Sequence, residues 1–358
     1  MDKLKTQPLI LAIDTSCDET AAAVTRGVTV VSNVVASQAE LHRPYGGVFP
    51  TVAKQAHKEN INQTIAVALK RARVTADQLD AIAVTQGPGL APALEVGISK
   101  AKELAIKDNK PLIAINHIEA HVLSPLAQRN QLIPKSETVQ PLTNVLSLVI
   151  SGGHSEFVLI NEVGSYERLG WTIDDAAGEC LDKVGRMLDL GYPAGPVIEQ
   201  FAKKGDTTAY DFPLPMTTSG DYNLSFSGMK THSRNLIEKL TANGHQLSAQ
   251  QTYDFCASFQ RAVFRHITYK LEKVLADYPQ ITAVFLGGGV AANMTLRKAI
   301  RETLKKSGRT LQLHVPYSKR LCGDNAAMIG ITASFKYQRH EFVKDMTQLE
   351  RKPRWEVD

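Results

Sequence analysis

One short plan occurs twice in this chain, about half its length apart. Residues 9–14, Leu-Ile-Leu-Ala-Ile-Asp, end in the polar turn Thr15-Ser16-Cys17-Asp18; residues 145–150, Val-Leu-Ser-Leu-Val-Ile, end in Ser151-Gly152-Gly153-His154. Each apolar run is long enough for one buried strand, and each is followed by a second strand-like segment, at residues 21–25 and 156–160. Self-similarity of this kind predicts two related lobes. At 358 residues the chain is also too long for one ordinary compact core.

The remaining elements fit around that plan. A third strand is expected over 28–37, a helix over 51–73, a strand over 81–86 closed by Gly87-Pro88-Gly89, and a helix to about residue 107. A strand at 112–116 leads into a helix starting near Ile118. Later come helices over 176–188 and 248–278, a strand over 283–286 entering Gly287-Gly288-Gly289, a helix beginning near Ala291, and an apolar helix over 326–333. Residues 204–223 read as an irregular insertion. The reading divides the chain into an N-terminal lobe at 1–128, a polar, proline-containing linker at 129–143 and a C-terminal lobe at 144–337. That second lobe holds a helical insertion at about 176–278 and a closing segment around 324–337 packing back near the cleft. Residues 338–358 read as a charged, mobile tail. Two lobes that each open on a strand and a phosphate-sized turn describe the mixed α/β fold of actin, Hsp70 and the sugar kinases, with nucleotide in the cleft. Such a fold says little about the reaction.

Composition narrows the setting. Apolar residues make up 43% and charged residues 22%, as in ordinary globular enzymes. No apolar run approaches the roughly 18 residues of a membrane span, and the first residues lack a signal-peptide core, so a cytoplasmic protein without membrane association is expected. Cys17, Cys180, Cys256 and Cys322 are scattered and form no C-x-x-C pair, which fits reduced thiols. A formal net charge of +5 permits a polyanionic partner.

The sharpest chemical signal is Asn116-His117-Ile118-Glu119-Ala120-His121. Histidines at i and i+4 stand one above the other on a helix, close enough to share a metal. A zincin places its glutamate directly after the first histidine; Glu119 lies two positions on, about 200° around the helix, so peptidase chemistry is disfavoured. Asp324, in a polar loop before the apolar helix, is either a third ligand or a helix cap. The glycine turns at Ser151-Gly152-Gly153 and Gly287-Gly288-Gly289 free backbone amides for an anion, whereas neither a P-loop nor a Rossmann fingerprint is present. Asp174 and Asp175 read as helix N-caps, and Asp182 is placed to accept a ribose hydroxyl. Ser227-Gly228-Met229-Lys230 matches S-x-x-K without the companion motifs of penicillin-binding enzymes, and is read as coincidence. Lys54, Lys58, Lys70 and Arg71 read as a solvated helix face before a contact for a polyanion.

Taken together, several motifs resemble the TsaD family, also called YgjD, Gcp or universal Kae. They are Ile13-Asp-Thr-Ser-Cys-Asp-Glu-Thr20, Tyr45-Gly-Gly-Val-Phe-Pro50, His117-x-Glu-x-His121, Ser151-Gly-Gly-His154, Asp174-Asp-Ala-Ala-Gly-Glu179, Gly191-Tyr-Pro-Ala-Gly-Pro196, Ser225-Phe-Ser-Gly-Met-Lys230, Gly287-Gly-Gly-Val-Ala-Ala-Asn293 and Asp324-Asn-Ala-Ala-Met328. Asp14, Ala194, Gly323 and Ser155 depart from the residues common there, none of them at a ligand position.

The resemblance implies an actin-like fold with duplicated ribonuclease H-like lobes. It also implies transfer of threonylcarbamoyl from threonylcarbamoyl-AMP to N6 of adenosine 37, in tRNAs reading codons that begin with A. By the same resemblance His117, His121 and Asp324 bind one Fe2+ or Zn2+ ion per subunit. Val149, Ile150, Ser151, Gly152, Gly153, Asp182, Gly195, Glu199 and Asn293 hold the adenylate and its acyl group. The implied partners are tRNA, a metal-less TsaB-like paralogue and a small TsaE-like ATPase. No residue is assigned as general base, although His154 is within reach. Two rival readings are a magnesium-dependent small-molecule kinase, disfavoured by the histidine pair, and a non-catalytic paralogue, disfavoured by retention of all three ligands.

Overall fold

The computed structural model describes residues 7–129, 142–242, 244 and 246–357; most of the expected linker lies outside them. The chain divides into two compact units. One holds the described residues up to 129 and those from Val315 onward; the other runs to His314.

In the first unit the strands are β1 (Leu9–Asp14), β2 (Glu19–Arg26), β3 (Thr29–Ser37), β4 (Ala81–Gly87), β5 (Leu112–Asn116) and β6 (Gln128–Arg129), in the order β5-β4-β1-β2-β3-β6. The pairs β1–β2 and β2–β3 are antiparallel, while β1–β4 and β4–β5 are parallel. The helices are α1 (Ala39–His42), α2 (Pro50–Ala72), α3 (Ala91–Lys107) and α4 (His117–Leu123). In the second unit the strands are β7 (Val145–Ile150), β8 (Ser155–Glu162), β9 (Ser165–Trp171), β10 (Ala283–Gly287) and β11 (Leu313–His314), in the order β11-β10-β7-β8-β9. Matching β1 to β7 and continuing through β5 to β11 gives the same order and the same pairing directions. The repeat visible in the sequence is therefore a repeat of topology. The second unit also carries α5 (Ala177–Met187), α6 (Gly195–Ala202), α7 (Ser227–Leu240), α8 (Ala249–Asp277) and α9 (Met294–Lys306). Last in the chain is α10 (Ala326–Gln338), within the first unit.

Strand β1 has no polar face because both of its faces are covered. Ile10 and Ala12 pack in one core with Ala327, Met328 and Ile331 of α10. Leu9, Leu11 and Ile13 pack in another with Ile61 and Ile65 of α2 and Leu94 and Ile98 of α3. Helix α10 is buried from Ala326 to Ser334, so its apolar residues do not segregate to one face.

Three expectations need correction. The tail is not a loose end: Leu349 and Val357 are 7% and 4% exposed, and Val343 N donates to Leu112 O at 2.8 Å. Its charged residues hide a backbone held by hydrogen bonds that no side-chain periodicity reports. The helix expected near Ala291 starts at Met294, because Asn293 caps it by accepting from Thr295 N and Leu296 N. Strand β9 is absent from the sequence reading, being of mixed burial and defined by its pairing with β8. No described helix is long and apolar enough to cross a membrane.

Gly288 shows how tightly the strand ends of the second unit approach. Its φ is +89°, and an added Cβ would lie 2.4 Å from Ile150 O. Gly288→Ala is expected to destabilise the protein by roughly 2–3 kcal/mol through backbone strain and this contact. Urea unfolding of the variant beside wild type measures it.

Candidate functional site

In the first unit, β5 runs directly into α4, and Asn116 at the junction caps the helix by accepting from Ile118 N (2.8 Å) and Glu119 N (3.2 Å). Helical spacing then stacks the His117 and His121 rings edge to face, with centroids 4.7 Å apart. Asp324 meets them from the loop before α10: its Oδ1 lies 3.1 Å from His121 Nε2 and 3.5 Å from His117 Nε2. The alternative role for Asp324, helix capping, is taken by its neighbour, since Asn325 accepts from Ala327 N and Met328 N. Glu119 stands apart from the cluster and pairs with Lys336 of α10 at 3.2 Å.

The electrostatics of this cluster follow from burial. Desolvation pushes both imidazoles down, but the Asp324 carboxylate overcomes it at His117 and raises that ring to about 9. His121 stays lowered, through burial and the adjacent positive His117. Burial likewise opposes ionisation of Asp324, yet the His117 charge and the two ring hydrogen bonds hold its carboxyl well below the usual range. The site thus attracts a buried positive charge. Its three donors, one atom per residue, lie within 4.8 Å of one another, and two imidazoles with a carboxylate form a donor set suited to zinc or iron. These residues are compatible with a bound metal ion. Sequence reading gave no such role to Asp14, which lies behind the cluster. Its Oδ1 accepts from Thr85 Oγ1 at 2.8 Å. Its Oδ2, 3.8 Å from His117 Nδ1, has no hydrogen-bond partner. The only available signal was a carboxylate ending a central strand.

The second unit holds a cavity of about 240 Å³ whose walls include Gly152, Asp182, Gly195, Glu199 and Asn293. The other proposed contacts do not line it: Val149 and Ile150 are fully buried in β7, and Ser151 and Gly153 belong to the adjoining turn. Gly289 of the second glycine turn also lines it, and Gly178 and Pro193 line it unforeseen. Gly178 is needed where α5 meets that turn, for an added Cβ would lie 2.6 Å from Ser151 O. Asp182 accepts from Ala194 N and Gly195 N at 2.8 and 3.3 Å, fixing the start of α6. Glu199 accepts from Met294 N, and the Asn293 amide donates to Gln260 while its oxygen caps α9. Their side chains shape the wall by holding backbone. His154 is absent from the lining; its backbone closes the turn with Ser151.

Asp174 and Asp175 do not cap α5. Asp174 accepts from Phe226 N and Ser227 N and from the Ser225 and Ser227 hydroxyls, so it caps α7 from a distant part of the chain. Asp175 bridges Lys183 and Lys230, each at 2.6 Å. Ser227 and Lys230 are therefore committed to structure, in keeping with the reading of S-x-x-K as coincidence. Lys54 pairs with Glu95 at 3.2 Å, and none of the four cysteines is in a disulfide.

Next to this network, Ser225 N donates to Nε2 of His266 at 3.1 Å, which requires a neutral ring. Burial pushes that imidazole down to about 4, with Lys270 acting the same way. The depressed folded value means that stability is complete above about pH 6.5 and is lost as pH falls towards 4. The loss amounts to roughly 3 kcal/mol at most. His266→Gln, which keeps an acceptor but cannot titrate, is expected to flatten that part of the stability–pH curve measured by urea unfolding.

A family model described as TsaD, tRNA N6-adenosine threonylcarbamoyltransferase, matches residues 29–331. A protein of that name from Geotalea uraniireducens (strain Rf4) is 43% identical over 330 residues, 91% of each chain. Another from Enterococcus faecalis (strain ATCC 700802 / V583) is 41% identical over 340 residues, 94% of this chain and 93% of the relative. Among solved structures, HypF of T. kodakarensis superposes with a TM-score of 0.60 at 15% identity, over 94% of this chain and 49% of its own. Component A of Acidaminococcus fermentans (R)-2-hydroxyglutaryl-CoA dehydratase gives 0.51 at 14% identity, over 92% and 99%. At such identities the likeness is one of fold: α/β with two mixed sheets.

Proposed function

The chain belongs to the TsaD family of tRNA N6-adenosine threonylcarbamoyltransferases, and on that premise we propose that it transfers threonylcarbamoyl from threonylcarbamoyl-AMP to N6 of adenosine 37. The acceptors are tRNAs reading codons that begin with A, and the products are t6A and AMP. The observation that carries the reading is the convergence of His117, His121 and Asp324, two buried imidazoles and a partly exposed carboxylate, in one cluster. These residues would hold one Fe2+ or Zn2+ ion per subunit, which when bound supplies Lewis-acid polarisation of a carbonyl oxygen. Asp14 places a carboxylate 3.8 Å behind the His117 ring.

The cavity of the second unit takes the adenylate. Gly152 has open space where a side chain would stand, so a ligand reaches its backbone. Asp182, Gly195, Glu199 and Asn293 form the wall, with Val149, Ile150, Ser151 and Gly153 carrying the adjoining turn. In the transfer, the N6 lone pair forms a bond to the carbamoyl carbon, the bond from that carbon to the phosphate oxygen breaks, and AMP leaves. The amine proton is released, and no side chain is assigned to take it. A single-stranded anticodon loop presents the base without melting a duplex. Positioning supplies much of the rate, since the leaving group is already good. The reaction belongs in the cytoplasm, with a TsaB-like paralogue and a TsaE-like ATPase as partners.

The test incubates the protein with threonylcarbamoyl-AMP and unmodified tRNA, followed by nucleoside mass spectrometry. Wild type is expected to form t6A, and the double variant His117→Ala/His121→Ala to form on the order of 100-fold less. No product from wild type, even with both partners added, sinks the reading. Gly152→Val is expected to weaken AMP binding roughly tenfold, about 1.4 kcal/mol, in isothermal titration calorimetry while leaving the melting temperature close to wild type.

A further inference from the structure

The C-terminal residues 350–357 form a strap held through its own main-chain groups. Gln86 Nε2 donates to Glu350 O at 2.7 Å. Lys352 N donates to Gln86 O at 2.8 Å, and Gly89 N to Pro353 O at 3.2 Å. The strap lies so close to the end of β4 that a Cβ on Gly87 would stand 1.8 Å from Lys352 O. It then reaches the end of β5, where the Asn116 amide donates to Trp355 O at 3.3 Å and to Glu356 O at 3.0 Å.

Asn116 therefore faces two ways. Its oxygen caps α4, the seven-residue helix that carries both histidines, and its nitrogen ties that cap to the strap. A helix this short has little stability of its own, so its direction depends on such ties. The strap also approaches the element that follows Asp324. Lys336 of α10 lies 6.0 Å from the centre of the Trp355 ring, with Lys352 at 4.5 Å. The same Lys336 pairs with Glu119 of α4.

We propose that the strap is part of the support of the metal centre. Asn116 and Trp355 act as positioning residues, holding α4 and α10 at the spacing that lets His117, His121 and Asp324 converge on one cation. The proposal rests on the metal reading above.

The test uses the full chain, stripped with a chelator and titrated with Zn2+ against a chromophoric competitor, and separately with Co2+ to read ligand geometry from its visible absorption. Asn116→Ser keeps a capping oxygen but loses the amide donor, Trp355→Leu removes the ring, Trp355→Phe restores one, and Arg351→Ala changes an exposed strap residue as control. Asn116→Ser and Trp355→Leu are expected to raise the Zn2+ Kd on the order of tenfold or more, the range of other outer-shell partners. Both should also alter the Co2+ spectrum, with Trp355→Phe and Arg351→Ala close to wild type. Merely lowering the melting temperature would leave the Co2+ spectrum of the folded protein unchanged. Should Asn116→Ser fail to fold, Trp355→Leu and its Phe rescue decide the matter. Zn2+ affinity within about twofold of wild type, with an unchanged Co2+ spectrum, overturns the strap proposal alone. Absence of Zn2+ and Co2+ binding by wild type overturns the metal reading and the strap proposal with it.

Discussion

A carboxylate drawn in against two buried imidazoles loses much of its water, and it is tolerated only where charge and hydrogen bonds compensate it. The first unit is organised around that constraint. Asp324 is kept ionised by the rings that face it, and His117 is held as a cation by Asp324. The neighbouring asparagines satisfy the helix ends: Asn116 caps α4 and Asn325 caps α10. That division of labour leaves the histidine nitrogens and the aspartate oxygen for one another. Helix α10 is apolar along most of its length because it must carry its acidic N-terminal loop through a core, packed on β1 and β2.

The duplicated sheets share a strand order and differ at the turns that close their strands. A glycine turn closes β4 in the first unit and β10 in the second. At the first, the chain's own C-terminal backbone occupies the turn, with Lys352 bonded to Gln86 and Gly89 to Pro353. At the second, Gly289 and Val290 line a cavity of about 240 Å³. One topological position is thus plugged in one unit and open in the other. The side chains around the open one, Glu199 and Asn293 among them, spend their polar atoms on the backbone of α9. The wall is held rigid in advance of any ligand, which limits what binding must order.

Residues that act through local spacing are legible in the sequence. The histidines four apart on a helix, and the misplaced Glu119 between them, follow from helical geometry alone. Strands β1 and β7 are legible too, because their largely apolar runs mark strands covered on both faces. Side chains that act across long sequence distances are not. Asp174 and Asp175 stand just before a helix and carry the residue type of N-caps, yet Asp174 serves α7 and Asp175 two lysines. The same ambiguity attaches to Asp324 in the sequence, because capping and ligation ask for the same residue. In the fold Asn325 is the cap and Asp324 faces the histidines.

The sequence by itself determined the duplication, the family and the chemical character of the cluster, since each rests on order, spacing and residue type along the chain. Only the tertiary structure decided that Asp324 meets the histidines, that Asp14 stands behind them, and that the charged C-terminal segment is a packed strap. The reason is physical. These contacts join residues far apart in the chain, and the strap is held largely by main-chain N–H and C=O groups, which every residue but proline carries in full and which leave no mark in the pattern of side chains.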